Sequence, residues 1–139
     1  MQRRINESHE WLVCEHAGGL VGYAYAGRLR PRAAYDGSVE VSVYVAADAP
    51  GAGIGRKLLT SLLERLKARD FVNAFAGIAL PNPASVRLFE SVGFEQIGIE
   101  RSVGFKLGAW HDVGWWQVRL LPAADGLPPA EPLGPQRLG

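Results

Sequence analysis

A single cysteine, Cys14, in 139 residues leaves no partner for an internal disulfide and rules out a cysteine-based metal cluster. Charge is scarce in either direction. Fifteen Lys and Arg stand against 14 Asp and Glu, a formal net charge of +1, so no basic excess is available for nucleic acid or an anionic membrane. No stretch is apolar for long enough to cross a membrane, and MQRRINESHE is not followed by the apolar core of a signal peptide. Two phosphate-loop patterns are also missing. GxxxxGK[ST] occurs nowhere, and GxGxxG fails because Arg56 stands three residues beyond Gly53. What remains is the composition of a soluble cytoplasmic domain with no metal: 47% hydrophobic residues, in one unit large enough to bury a core.

The chain is organised around Ser38 to Leu66. Val39, Val41, Val43 and Val45 alternate with Glu40, Ser42 and Tyr44, the period of two expected of a half-buried strand. A loop with Gly51, Gly53 and Gly55 follows, and then a helix whose Leu58, Leu59, Leu62, Leu63 and Leu66 share one face. Glycines let backbone approach a ligand, and the first helical turn leaves N–H groups unpaired at the positive end of the dipole. The letters suit a phosphate or pyrophosphate seat, and equally an ordinary glycine-rich strand-to-helix turn.

Elsewhere, residues 1–10 are polar and read as a helix end or loose arm. Strands are expected over Trp11–His16 and Leu20–Ala26, joined by a hairpin at Ala17-Gly18-Gly19. Arg28–Gly37 is a basic connection. Asp70 marks a break, and Asn73–Leu80, apolar on both faces, reads as an interior strand. Pro83 suits the first turn of a short helix over Ala84–Ser91. A strand near Gln96–Arg101, a connection over Ser102–His111 and a last strand over Val113–Leu121 complete the domain, residues 1–121. Residues 122–139, rich in Pro and Gly, read as a disordered tail. The order β-β-β-α-β-α-β-β implies a mixed sheet, class α/β (α+β), with helices on its faces.

PxxGxG followed by Arg56 resembles the acyl-CoA pyrophosphate loop of the GNAT N-acetyltransferase superfamily, with Pro50 where that family carries Gln or Arg. RPRAAYD, VEVSVYV, LPNPASVRLFESVGF and GFKLGAWHDVGWWQ extend the likeness to its phosphinothricin (methionine sulfoximine) N-acetyltransferase group, over about residues 11 to 121. The resemblance implies a mostly antiparallel GNAT sheet, acetyl-CoA as donor and co-substrate, and a small amino acid or analogue as the amine acceptor. It implies that the backbone of Val43, Tyr44 and Val45 pairs with the pantetheine arm. Gly51, Ala52, Gly53, Ile54, Gly55 and Arg56 would hold the pyrophosphate, and Asn82 and Ser85 would lie along the thiol end.

The chemistry makes its own demands. An α-ammonium must lose a proton before it can attack. Glu40, on the polar side of its strand, is the candidate base, as the matching glutamate is in the resembled enzymes; otherwise it is a solvated strand glutamate. His111 matches a histidine the family assigns to catalysis and is either a second base or orienter, or a ring packed between tryptophans with Asp112 as partner. His9 and His16 match no motif and are assigned to the surface. Arg30, Arg32 and Tyr35 precede Glu40, and by the resemblance they clamp the acceptor's acidic groups, for which a guanidinium fork is suited; loop arginines are otherwise simply solvated. Phe89 stands where many of these enzymes place a proton-donating tyrosine, leaving water, or an unassisted thiolate, to complete the transfer.

A strand and one or two helices normally precede the WLV strand in such domains. The expectation is therefore an N-terminally short domain whose open edge and apolar surface favour a homodimer. Two other functions remain compatible: a catalytically weak acetyl-CoA-binding module, or an enzyme acting on protein N-termini or other amines.

Overall fold

The structure is a computed structural model that describes residues 8–16, 18–30, 35–47 and 53–122; the side chains of residues 8, 9 and 16 fall outside the description. Its elements are β1 (Ser8–His16), β2 (Gly19–Arg28), β3 (Ser38–Val45), α1 (Ile54–Ala68), β4 (Asn73–Ala79), α2 (Pro83–Ser91), β5 (Glu95–Lys106) and β6 (Ala109–Arg119). The six strands form one sheet in the order β1-β2-β3-β4-β6-β5. Every neighbouring pair is antiparallel except β3 and β4, which run parallel through the α1 crossover. The element order is the one the residue pattern implies.

Alternation along the strands decides which face is covered. Val39 and Val41 of β3, Ala24 and Ala26 of β2, Ala74, Ala76 and Ile78 of β4 and Trp116 of β6 all turn to one side and are buried. The leucine stripe of α1, Leu58, Leu59, Leu62 and Leu66, closes over them. Each such leucine contributes about 1.5–3 kcal/mol by leaving water. Small residues on β2 allow this close approach: a Cβ on Gly22 would stand 3.0 Å from Leu58 Cδ1. The helix ends where Asp70 takes φ 66, with the Phe71 N–H donating to the Leu66 carbonyl and the Asp70 N–H to that of Lys67, a Schellman closure. Arg65 and Lys67 in the last turn face the negative end of the dipole.

Three expectations are corrected. Among the described residues both helices lie on the same face of the sheet, because α2 also turns its buried Phe89 inward and its Glu90 accepts a hydrogen bond from Trp116 Nε1 at 3.0 Å. The opposite face carries Glu40, Ser42, Tyr44, Phe75 and Trp115, with Trp11, Tyr23, Tyr25 and Tyr44 stacked at centroid distances of 5.2–6.3 Å. Residues 102–111 are not a connection. β5 continues to Lys106 and β6 begins at Ala109, joined by Leu107-Gly108, both at positive φ (52 and 76) as a two-residue hairpin loop requires. A register shift between Glu100 and Gly104 interrupts the alternation there, which hides the strand from a period-two reading. Finally, Ser8–Glu10 belong to β1 rather than to an arm. The tail beyond Pro122 lies outside the described residues.

Candidate active site

The parallel pair β3–β4 creates the site by coming apart. Its ladder runs only from Ser38↔Asn73 to Glu40↔Phe75, although β3 continues to Val45 and β4 to Ala79. Beyond Glu40 the two strands remain paired only on their outer edges, β3 with β2 and β4 with β6. Their inner edges thus face a wedge, and the backbone N–H and C=O groups of alternate residues within 41–45 line it. Such groups need partners, and an extended amide-bearing ligand can supply them. Val43, Tyr44 and Val45 lie on this stretch, with Tyr44 half exposed at the end of the aromatic stack.

At the far end of β3 stands the N-terminus of α1. Gly53 caps it at φ 99, a left-handed conformation open to glycine, with no side-chain capping bond and no acidic residue in the first turn. The N–H groups of Ile54, Gly55 and Arg56 belong to this first turn, where four backbone donors lack intrahelical partners. An anion fits this end chemically. Gly55 also has a packing reason. A Cβ there would meet Leu88 Cδ2 at 3.2 Å and Val45 Cγ2 at 3.4 Å, so glycine lets α1, α2 and β3 converge. Gly51 and Ala52 lie outside the described residues. Asn82 caps α2, its Oδ1 accepting the Ser85 N–H at 3.1 Å, with Pro83 at the first helical position. This explains both residues structurally while leaving the pair at the exposed head of α2.

On the other side of the splay point lies a pocket of about 540 Å³ lined by Leu29, Arg30, Glu40, Phe75, Trp115 and the run Ile97–Glu100. Arg30 and Glu40 therefore line one pocket. Glu40 is half-buried, and its loss of water raises its carboxyl above the usual carboxylate range. Tyr35 adjoins through Arg30, whose guanidinium lies 5.0 Å from the phenol ring centroid. Arg32 lies outside the described residues. Trp115 lies flat across β4 because Gly77 has no side chain; a Cβ there would meet the indole at 3.0 Å.

His111 does not line this pocket. It shares the open face with Trp115 four residues on, and its Nδ1 lies 3.3 Å from the Leu80 carbonyl. With Nδ1–H donating there, Nε2 is a buried acceptor without a partner among the described residues. The alternative in which Asp112 partners His111 is not found among the described residues. Adjacent strand residues face opposite ways, and the Asp112 carboxylate instead accepts the Ser102 N–H at 2.8 Å, with Arg101 at 4.0 Å. Phe89 is buried edge-on against Phe94, centroids 5.0 Å apart, and is a core residue.

Comparison with known proteins agrees with this geometry. The family model of the acetyltransferase (GNAT) domain matches residues 2–115. The chain belongs to the GNAT acetyltransferase family. It is 45% identical over 114 residues to phosphinothricin N-acetyltransferase of Streptomyces viridochromogenes, covering 82% of this chain and 62% of that protein. It is 39% identical over 120 residues to L-methionine sulfoximine/L-methionine sulfone acetyltransferase of Pseudomonas paraeruginosa, covering 86% and 70% respectively. A phosphinothricin acetyltransferase of Sinorhizobium meliloti, solved in complex with acetyl-CoA, superposes with a TM-score of 0.74 at 38% identity, covering 78% of this chain and 60% of that one. The chain thus spans about three-fifths of the length of the first of these relatives.

In this GNAT domain, sequence reasoning missed Leu29, Phe75, Ile97–Glu100 and Trp115 as pocket walls. Phase along the strands could have found Phe75 and Trp115, which share Glu40's face. Nothing in the letters gave Glu100, which reaches the pocket through register shifts in β5.

Proposed function

We propose that this protein transfers the acetyl group of acetyl-CoA directly to the α-amine of a small amino acid or analogue. The observation that carries the reading is the position of Glu40. Its half-buried carboxylate sits at the point where β3 and β4 separate, in one pocket with Arg30 and below an unpaired strand edge. The wedge and the head of α1, capped by Gly53 without a side-chain bond, suit the amide-rich arm and pyrophosphate of acetyl-CoA. The pocket suits an amino acid, whose carboxylate would meet Arg30. Glu40, poised nearer neutrality than an exposed glutamate, takes a proton from the ammonium. The freed nitrogen attacks the thioester carbonyl, forming the C–N bond as the C–S bond breaks; the nitrogen then releases its second proton to solvent, leaving a neutral amide, and the departing thiolate takes up a proton from solvent. His111, whose Nε2 has no hydrogen-bond partner among the described residues, serves as auxiliary base or orienter, and Tyr35 holds Arg30.

The reaction belongs in the cytoplasm, where acetyl-CoA is supplied. A homodimer is part of the proposal. Both outer strands, β1 and β5, are long, and Ile97, Ile99, Val103, Phe105 and Trp110 are 43–63% exposed. Sedimentation showing only monomer would remove that part. The activity itself is tested by thiol release from acetyl-CoA with a panel of amines including phosphinothricin and methionine sulfoximine. Amine-dependent release is expected; cofactor binding without turnover would contradict the reading.

A further inference from the structure

One charged wall of the pocket has no role in that reaction. Glu100 lies in β5 between two irregularities: a shift between Gln96 and Gly98, and another between Glu100 and Gly104, where four steps on β5 span two on β6. Bulges of this kind re-aim side chains. Here the result is a carboxylate at the pocket, fixed by the Trp115 indole, whose Nε1–H donates to Glu100 Oε1 at 2.8 Å. Trp115 is in turn held flat over Gly77. Among the described residues no cation lies within ion-pair distance of Glu100.

Charge matching then constrains the acceptor. The described pocket walls offer one guanidinium, Arg30, and two carboxylates, Glu40 and Glu100. An amino-acid zwitterion supplies one carboxylate and one ammonium, which Arg30 and Glu40 take. Glu100 remains, with acceptor oxygens facing whatever side chain the substrate carries. Resting on the acetyltransferase reading, we infer that Glu100 sets side-chain specificity, selecting acceptors that end in cationic or N–H-donating groups over acceptors with an anionic side chain. A cationic end satisfies the spare lone pairs with charge-assisted hydrogen bonds. A phosphinate or carboxylate end meets like charge, the repulsive element that specificity commonly needs.

The test compares L-arginine, its near-isosteric neutral counterpart L-citrulline, and phosphinothricin as acceptors for the wild-type protein and Glu100→Gln. Glutamine keeps an oxygen for the Trp115 indole, removes the charge and replaces the second acceptor oxygen with an N–H donor. Both kcat/KM by thiol release and Kd by calorimetry on the CoA-loaded protein are read. Because Glu100 is exposed to solvent, the wild-type preference for arginine over citrulline is expected to be about fivefold. It should collapse toward parity in Glu100→Gln and shrink in the wild type at high salt. Phosphinothricin should improve several-fold in the variant. Ratios unchanged by Glu100→Gln, or a wild-type preference for phosphinothricin that the variant weakens, would overturn the inference. Absence of turnover with every acceptor would instead overturn the acetyltransferase reading, and the calorimetric ratios would still decide the role of Glu100.

Discussion

The two sides of the splay point are built from different materials. The side formed by residues 41–45 of β3 and the head of α1 offers backbone: an unpaired strand edge, a glycine cap and first-turn N–H groups. The side around Arg30, Glu40, Glu100 and Trp115 offers charged and aromatic side chains brought in from four strands or their ends. Backbone recognition depends on chain path and close packing, so it tolerates change in any exposed side chain but fails when the path shifts. Side-chain recognition can be retuned one residue at a time without disturbing the fold. A donor common to many reactions therefore fits the first side, and a variable acceptor fits the second.

Substitutions should respect this division. The largest effect is expected from Glu40→Gln, which should lower kcat/KM by about 10²–10⁴-fold while leaving acetyl-CoA binding, followed by thermal shift, nearly unchanged. Leu62→Ala removes a fully buried member of the α1 stripe. It should cost about 2–5 kcal/mol in urea unfolding, weakening both sides together rather than either alone. Gly55→Leu overfills the meeting of Val45 and Leu88. A loss of about 1–3 kcal/mol is expected, with KM for acetyl-CoA rising while preference among acceptors stays fixed. If acceptor preference moved instead, the two sides would not be separable. Asn82→Ala deletes the α2 cap bond and should cost about 1 kcal/mol.

The smallest effect concerns pH. Burial raises the folded-state pKa of Glu40, so the folded protein holds that proton more tightly than the unfolded chain does. The associated stability is present in full below the unfolded pKa and is lost as pH rises through the folded one. Relative to Glu40→Gln, the wild type should therefore lose stability in thermal melts taken from acid to neutral pH. A difference of opposite sign would mean that Glu40 is held by an opposing charge.

Element order, the interior place of β4 and the leucine face of α1 were legible because alternation and helical spacing are local properties of the chain. That Arg30 and Glu40 line one pocket fits the motif that carries both, RPRAAYD running into the alternating strand of Glu40. The hairpin at Leu107-Gly108 was not legible, since the irregularity after Glu100 scrambles the period that announces a strand. Nor was the face of the sheet that carries no helix among the described residues, because alternation says that one side is polar or aromatic without saying what packs there. Glu100 and Trp115 stand 15 residues apart and become partners only through the β5–β6 register. One of the two readings of His111 paired it with Asp112, its chain neighbour, whereas strand geometry sends Asp112 to Ser102.

The most direct test of the central claim is the pH profile of kcat/KM for acetyl transfer to one amino-acid acceptor, measured for the wild type and for Glu40→Gln. The wild type should gain activity as pH rises through a carboxyl pKa above the ordinary glutamate range, and the variant should lack that limb. Equal profiles and equal rates in the two proteins would contradict Glu40 as the base.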